Sequence, residues 1–510
     1  MRFIVSVLTL RFVVSAMIFA TTMATTRGVQ PNAKTETRRI AGYKGIWFTL
    51  GQFYGKGSGD EAYAKVSREP VFPYGDKYSG GLGTYTAKHT PLAIYCPEVE
   101  KTFFVYGGTT GPEERHLLCM ISYYDHKTNQ VPRPVVVHDK QGVDDPHDNP
   151  SLAVDSEGHI WVFVSGRGRN RPGFKYRSVQ PFSIDGFDRI SEEEMTYPQP
   201  HVVGEKGFLH LFTKYTGVRE LYWERSEDGV TWTADQKLAG IRESGHSHGG
   251  HYQSSAVRGE SVGTFFNRHP NGNVDQRTDL YYVQTSDRGS TWTTVDGKVL
   301  ETPLVDVESP ARVIDYAAQG LNVYLKDMKF DHAGHPVLLY VTSRGAQPGP
   351  PNDPRHFRIT RWDGSNWQTS TICRTDHNYD MGSLDLGDQE DAAWTVRVPS
   401  VPGPQPGHGG GEVVLWESRN QGDSWEMKRQ LTHNSPQNHN YIREPLAAKD
   451  PFFVFWADGD PTQLSTSQLY FADRSGEHVW RLPYGMTEDF AEPERVVKPR
   501  ASGAANVQKP

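Results

Sequence analysis

Cysteine is scarce: three residues, Cys96, Cys119 and Cys373, in a chain of 510, with no CxxC pair. That excludes a disulfide scaffold. Cys96 and Cys119 on neighbouring strands could pair in an oxidising compartment, and buried free thiols are an equal alternative. Beyond the N-terminus no segment approaches the ~18–20 apolar residues a membrane helix needs, so a mature chain carries no transmembrane segment. A basic excess is also missing. Lys and Arg total 54 against 61 Asp and Glu, a net charge of -7, which argues against a dedicated nucleic-acid binder. Local charge can still oppose the global sign, so an acidic substrate stays open. No amphipathic helical stretch is long enough to organise a core. What the chain has instead is 12% aromatic residues, 50 Gly and 34 Pro, the makeup of many short strands joined by turns.

Residues 1–24 join Arg2 to an apolar run and then small residues around Ala20 to Ala24, interrupted by Arg11. This reads as a signal peptide for secretion or periplasmic export, followed by a polar linker over 25–40. The next feature is repetition. Four segments place Gly three residues before Trp after a polar turn: Gly229 and Trp232, Gly289 and Trp292, Gly364 and Trp367, Gly422 and Trp425, with a looser copy ending at Trp480. Thr285-Ser-Asp287-Arg-Gly289-Ser-Thr-Trp292 fits the Asp-box of sialidase-type propellers. Asp can bond backbone N–H groups in such a turn, Gly allows positive φ, and Trp packs between sheets. These boxes are structural staples. Asp155-Ser-Glu-Gly158 and Asp331-His-Ala-Gly334 mark further hairpins.

Seven strand starts are polar: Lys88-His89-Thr90, His147 in Asp-Pro-His-Asp-Asn-Pro, Tyr197 to His201, His251-Tyr252-Gln253, a segment from Asn322 to Lys326, His377-Asn378-Tyr379 and His439-Asn440-Tyr441. Together they predict an all-β fold, a seven-bladed β-propeller over residues 41–490 with Asp-box hairpins, and a disordered tail over 491–510. The innermost strand of each blade would line a central channel, and its polar start would open on one rim. A core strand has no need of such groups, so their recurrence predicts a pocket lined by His, Tyr, Asn and Arg. No cofactor is required. His246, His248 and His251 are candidate ligands for a divalent metal such as Zn, and a carboxylate-rich Ca loop is not evident.

At these residues the chain resembles the BNR-repeat propellers that include ulvan lyases and related rhamnose–glucuronate lyases. The resemblance covers most of 41–490 and rests on the hairpins, on Asp-Pro-His147-Asp-Asn-Pro, on His251-Tyr252, on Asn267-Arg268 and on His439-Asn-Tyr441. It implies a secreted enzyme acting on an acidic polysaccharide or oligosaccharide beside a uronic acid. In those lyases a Tyr and an Arg lie sixteen residues apart, as Tyr252 and Arg268 do. The resemblance implies Tyr252 as catalytic Tyr, Arg268 as neutraliser of the uronate carboxylate, and His147 as base or partner. The family's second His is replaced here by the Arg167 to Arg169 segment. Near Tyr78 to His89 the chain is similar to propellers that include α-L-rhamnosidases with a key His, which makes His89 the candidate for a hydrolase.

The chemistry narrows the roles. β-Elimination needs a carboxylate partner, for which Arg268 and Arg167 are candidates, and a base to take the C5 proton. A neutral His needs little tuning. A Tyr phenolate needs a neighbouring cation, so Tyr252 reads as the acid, with His147 or His251 as base. Candidate substrate contacts are Arg167, Arg169, His201, Asn267, His269, His377, Tyr379, His439, Tyr441 and Arg443. Hydrolysis would need a carboxylate pair in most glycosidases, and Asp145, Asp148 and Glu444 lie near strand starts. A non-catalytic carbohydrate-binding propeller is the third reading. A neuraminidase fits less well, because the Arg-Ile-Pro motif is absent.

Overall fold

Alternating turn and strand signals leave the chain one economical solution, a succession of up-and-down antiparallel sheets. The computed structural model describes residues 38–49, 74, 79–81, 83–86 and 88–496, except 113, 115, 142, 144, 206, 216, 218 and 248. The predicted leader, the linker up to residue 37, the tail from 497 and His248 lie outside the described residues. Among these residues the secondary structure is β, with three single-turn 3₁₀ segments.

The chain forms a β-propeller. Each large sheet is led by a strand that stands at its edge: β1 (Ala93–Cys96), β2 (Pro150–Val154), β3 (Thr196–Val202), β4 (Gln253–Arg258), β5 (Asn322–Phe330), β6 (Ser383–Asp385) and β7 (Asn438–Arg443). Later strands add outward in sequence order. Behind β5, for example, come Pro336–Ser343, Arg355–Trp362 and Trp367–Thr375. The leading strands adjoin one another, β1 with β2, β2 with β3, β3 with β4, β4 with β5 and β5 with β6, while β7 packs on the strands behind β6. The circuit closes beyond β7, where Leu446 accepts from Tyr95 N at 3.0 Å and donates to Ala93 O at 2.9 Å.

Apolar clusters fill the junctions between sheets. Trp161 and Phe163 of one sheet meet Phe208 and Phe212 of the next, and Phe104 packs against Phe452 and Phe455 across the closure. No sheet covers its own faces, so the core is shared. The Gly-x-x-Trp turns lock neighbours together. Thr285 Oγ1 accepts from Gly289 N at 2.9 Å and Asp287 Oδ1 from Thr291 N at 2.8 Å. Gly289 has φ +86°, and a Cβ there would lie 2.7 Å from the Trp223 ring of the preceding sheet. Gly229 faces Trp161 in the same way, at 2.5 Å.

Both ends of the described chain enter the fold. Arg38–Arg39, assigned to the linker, pair with Val135 and Val136. Gly45–Thr49 pairs with Ser465–Ser467. Glu494–Val496, assigned to the tail, pairs with Val479–Arg481. The predicted boundaries therefore miss short edge strands held by partners remote in sequence. The Pro-rich stretch from 399 also starts inside a strand, Trp394–Val401.

Candidate active site

Geometry decides which loops meet. Each leading strand starts at one rim, the second strand returns to it, and the loop between second and third strands opens there. The turns between first and second strands, and the Gly-x-x-Trp turns, fall at the opposite end. At the rim lies a cleft that opens to solvent.

Seven tyrosines form its collar: Tyr85, Tyr197, Tyr215, Tyr252, Tyr324, Tyr379 and Tyr441. His147, Arg167, Arg219, Arg277, Lys88, Lys326 and Thr86 complete its polar lining. Tyr252 sits at the centre of this chemistry. Its hydroxyl meets Tyr215 Oη at 3.1 Å, and Tyr215 meets Tyr197 Oη at 3.0 Å. The Arg277 guanidinium lies 4.7 Å from the Tyr252 ring centre and 4.8 and 5.2 Å from those of Tyr324 and Tyr379. It also donates to Tyr379 Oη and Val274 O. Burial pushes the Tyr252 phenol up, but Arg277, Arg219, the Tyr215 hydrogen bond and Arg167 outweigh it, and the group ends below the ordinary tyrosine value. Burial drives Tyr197 and Tyr215 the other way, well above it.

His147 sits in a 3₁₀ turn capped by Asp145, whose carboxylate accepts from His147 N at 3.0 Å and is paired with His147 Nδ1. Arg171 and Arg167 hold the other Asp145 oxygen at 2.6 and 2.8 Å. Asp145 is therefore kept ionised: burial opposes this, and His147, Arg171 and Arg167 overcome it. Burial lowers the His147 pKa despite Asp145. In the neutral ring, with Nδ1–H given to Asp145, Nε2 is the acceptor.

The cleft is strongly electropositive. Arg167 has Asp145, yet Lys88, Arg219, Arg277 and Lys326 form no ion pair among the described residues. Arg443 lies beneath, donating to Thr84 O at 3.1 Å through two nitrogens. Burial, then Arg277, Lys326 and Arg443, lower Lys88 well below the usual lysine value. Burial brings Lys326 to about 7, opposed by Asp380 and aided by Arg277 and Arg443.

Of the residues expected from sequence, His147, Arg167, Tyr252, Tyr379 and Tyr441 line the cleft. Several do not. Arg268 is turned away, its Nε 2.5 Å from Asp279 and its Nη1 on Glu243. The strand alternation explains this: Asn267 faces Tyr252, accepting from Tyr252 N at 3.1 Å and donating to Val323 O, so its neighbour Arg268 points elsewhere. His251 is excluded as base, because its ring accepts from Ile241 N at 2.9 Å and meets Asn267 O at 2.9 Å. His89 is fully buried, with Nε2 3.1 Å from His147 O and Nδ1 3.4 Å from Thr86 N, so it supports the His147 turn.

Arg169 is exposed against Glu194. His201 meets Ser255 Oγ at 2.7 Å, on a second cavity at the far end of the leading strands. His269 packs edge-on against the Tyr252 ring at 4.8 Å. His377 accepts from Tyr379 N at 3.2 Å, and His439 from Trp456 Nε1 at 2.9 Å. These histidines shape the wall and do not line the cleft. Of the histidines considered for a metal, His251 is bonded to Ile241 N and Asn267 O, His246 is exposed, and His248 lies outside the described residues. One carboxylate trio, Glu193, Glu224 and Asp235, has metal-like spacing. The buried Lys175 ammonium fills it, 2.7 Å from both Glu193 and Glu224.

The sequence reading missed Tyr85, Tyr197's hydroxyl chain, Tyr215, Arg219 and Arg277. Arg219 and Arg277 each end the rim loop after the second strand, directly before Glu220–Ser226 and Thr278–Thr285. That position was the available signal.

Residues 118–375 match the model of the BNR repeat-containing family. The chain belongs to this family. It is 20% identical over 386 residues to an ulvan lyase of Alteromonas sp. (strain LOR), covering 66% of this chain and 75% of that one. A protein of Pseudoalteromonas sp. (strain PLSV) named Ulvan Lyase-PL25 is 21% identical over 327 residues, 54% of this chain and 64% of the relative. The solved structure of a PL25 ulvan lyase bound to -[GlcA(1-4)Rha3S]- superposes with a TM-score of 0.63 at 15% identity, covering 77% of this chain and 93% of the other. That likeness concerns the fold.

Proposed function

We propose that this protein is a polysaccharide lyase that cleaves beside a uronic acid in a rhamnose- and glucuronate-containing glycan by β-elimination. The observation that carries the reading is a cluster of cations without carboxylate partners around a buried tyrosine, in a chain whose net charge is negative. Such a site suits an anion and stabilises an enolate. Arg277 and Arg219 take the C6 carboxylate. Tyr252, with its proton held loosely by those arginines, removes the C5 proton as phenolate. The C4=C5 double bond forms as the C4–O4 bond breaks, and the same phenol protonates the departing O4. The sequence reading made Tyr252 the acid only. Three neighbouring guanidinium groups supply the cation that a phenolate base requires. His147 accepts a hydrogen bond from a sugar hydroxyl, oriented by Asp145.

Hydrolysis by a carboxylate pair fits less well, because among the described lining residues the cleft has no Asp or Glu. Asp145 and Asp148 are tied into ion pairs behind His147, and Glu444 lies at the far cavity. The same reading takes the large sheets as seven blades, the Gly-x-x-Trp turns as Asp-boxes, and residues 1–24 as the leader of an exported enzyme. Incubation with ulvan or gum arabic tests it. Ultraviolet absorbance of an unsaturated uronate is expected. Release of free rhamnose without that absorbance, or binding without either product, would reject it.

A further inference from the structure

The hydroxyls of Tyr197, Tyr215 and Tyr252 form a continuous chain on the wall of the cleft, with links of 3.0 and 3.1 Å. Tyr252 stands at the end where cations gather. The Arg277 guanidinium, shared with Tyr324 and Tyr379, lies 4.7 Å from its ring centre and the Lys88 ammonium 5.4 Å, while His269 packs against the ring edge at 4.8 Å. Arg167 and Arg219 lie 5.4 and 5.8 Å from the ring centre of Tyr215. Tyr197, at the other end, is held at a conformational cost. Its φ is +56°, where the pairing of its strand with the next shifts register. A bulky residue enters this left-handed region only when its surroundings impose it. Ser165 Oγ accepts from Tyr197 N at 3.1 Å and fixes the kink. Burial first, then the neighbouring phenols, keep Tyr197 and Tyr215 protonated.

We propose that Tyr215 and Tyr197 are positioning residues for Tyr252, a directional hydroxyl chain that stabilises its phenolate and aims its proton at the substrate. The direction follows from the protons available. A phenolate has none to give, so the Tyr215 O–H must donate to Tyr252 Oη. Tyr215 has only that one proton, so the Tyr197 O–H must donate to Tyr215. Each link polarises the next. When Tyr252 takes the C5 proton, the bond from Tyr215 stays in place, and the new O–H faces the cleft and the departing O4. The proton passes from C5 to Tyr252 and on to O4, and Tyr215 and Tyr197 keep their own. That use of the proton rests on the lyase reading, whereas the chain and its effect on the phenol do not.

Ultraviolet titration of tyrosinate in the full chain tests this without substrate. The ionisation that disappears in Tyr252→Phe belongs to Tyr252. Tyr215→Phe keeps the ring near Arg167 and Arg219 and removes only the donor. It should move that ionisation up by about one to two pH units, the worth of a hydrogen bond to a charged group. Tyr197→Phe should move it the same way by less, and the double variant should match Tyr215→Phe, because Tyr197 acts only through Tyr215. With ulvan as substrate, the midpoint of the kcat/KM profile should follow these shifts. An ionisation that stays put in Tyr215→Phe, or a double variant displaced well beyond Tyr215→Phe, overturns the chain. So does a uniform loss of turnover with an unmoved midpoint, which would make Tyr215 a packing residue. Shifts in the titration without any unsaturated uronate from the glycans would leave the chain standing and reject the lyase reading.

Discussion

Two arginines near Tyr252 in sequence have opposite duties, and substitution separates them. Arg268 neutralises Asp279 and Glu243, and Asp279 is fully buried. Arg268→Met should cost about 3 kcal/mol or more of stability, the usual penalty for breaking a buried pair, measured by denaturant unfolding, with little loss of turnover in the surviving fold. Arg277→Met should instead lower kcat/KM at near-native stability. Tyr252→Phe should reduce turnover by about 10²–10⁴-fold, the range of a lost acid–base group. The pH profile gives a finer test. A phenolate base makes kcat/KM rise with pH to a plateau, with its midpoint below the ordinary tyrosine value because Arg277, Arg219 and Arg167 favour the charged form. Arg219→Met removes one of those cations, so the midpoint should move to higher pH. A midpoint that stays put would show that Arg219 does not act on Tyr252. Lys326 adds a stability signal. Its folded pKa, about 7, lies below its unfolded value near 10.4. Between these values the unfolded chain binds more protons, so stability should rise with pH from about 7 to 10. Lys326→Met should flatten that rise in thermal unfolding.

At the scale of elements, what could be read from the sequence follows from local rules. Gly229, Gly289, Gly364 and Gly422 announce turns because their spacing to Trp is repeated, and the polar starts of the leading strands announce a rim because core strands avoid such groups. The direction of individual side chains was less legible. A fifteen-residue spacing brings Tyr252 and Asn267 together across an antiparallel pair, yet Arg268, one residue further on, falls on the other face. Arg219 and Arg277 were missed because their rim loops are recognised only once second strands are known to return to the mouth. The histidines were over-read: His89, His251 and His377 satisfy backbone groups. The turn glycines are also where this element scale can be tested. Gly289→Ala would force a Cβ onto Trp223 at positive φ, and should cost about 1–3 kcal/mol. Gly259, also at positive φ but with nothing within 4 Å of a Cβ, provides the control in the same denaturation assay: its Ala variant isolates the backbone cost and should lose less.

For the whole molecule, a net charge of -7 stands against a cleft walled by arginine and lysine. An acidic polymer approaching the surface at random meets repulsion, while near the rim it meets the field of Lys88, Arg219, Arg277, Lys326 and Arg443. Closure of the ring creates that contrast. These five cations come from the segment before β1, from the loops after the second strands of the sheets led by β3 and β4, and from within β5 and β7, so no single sheet holds the field. Salt distinguishes the rim field from contacts in the interior. The Debye length is about 10 Å at 0.1 M ionic strength and about 3 Å at 1 M, so added salt should weaken capture of an acidic glycan and leave buried contacts at Tyr252 nearly intact. KM should therefore rise with ionic strength while kcat changes little. In Arg219→Met, whose cation belongs to the rim loop, the salt dependence of KM should be shallower. A kcat that falls in parallel with kcat/KM would instead place the salt-sensitive interaction in the transition state, and would move the role of these cations from capture to chemistry.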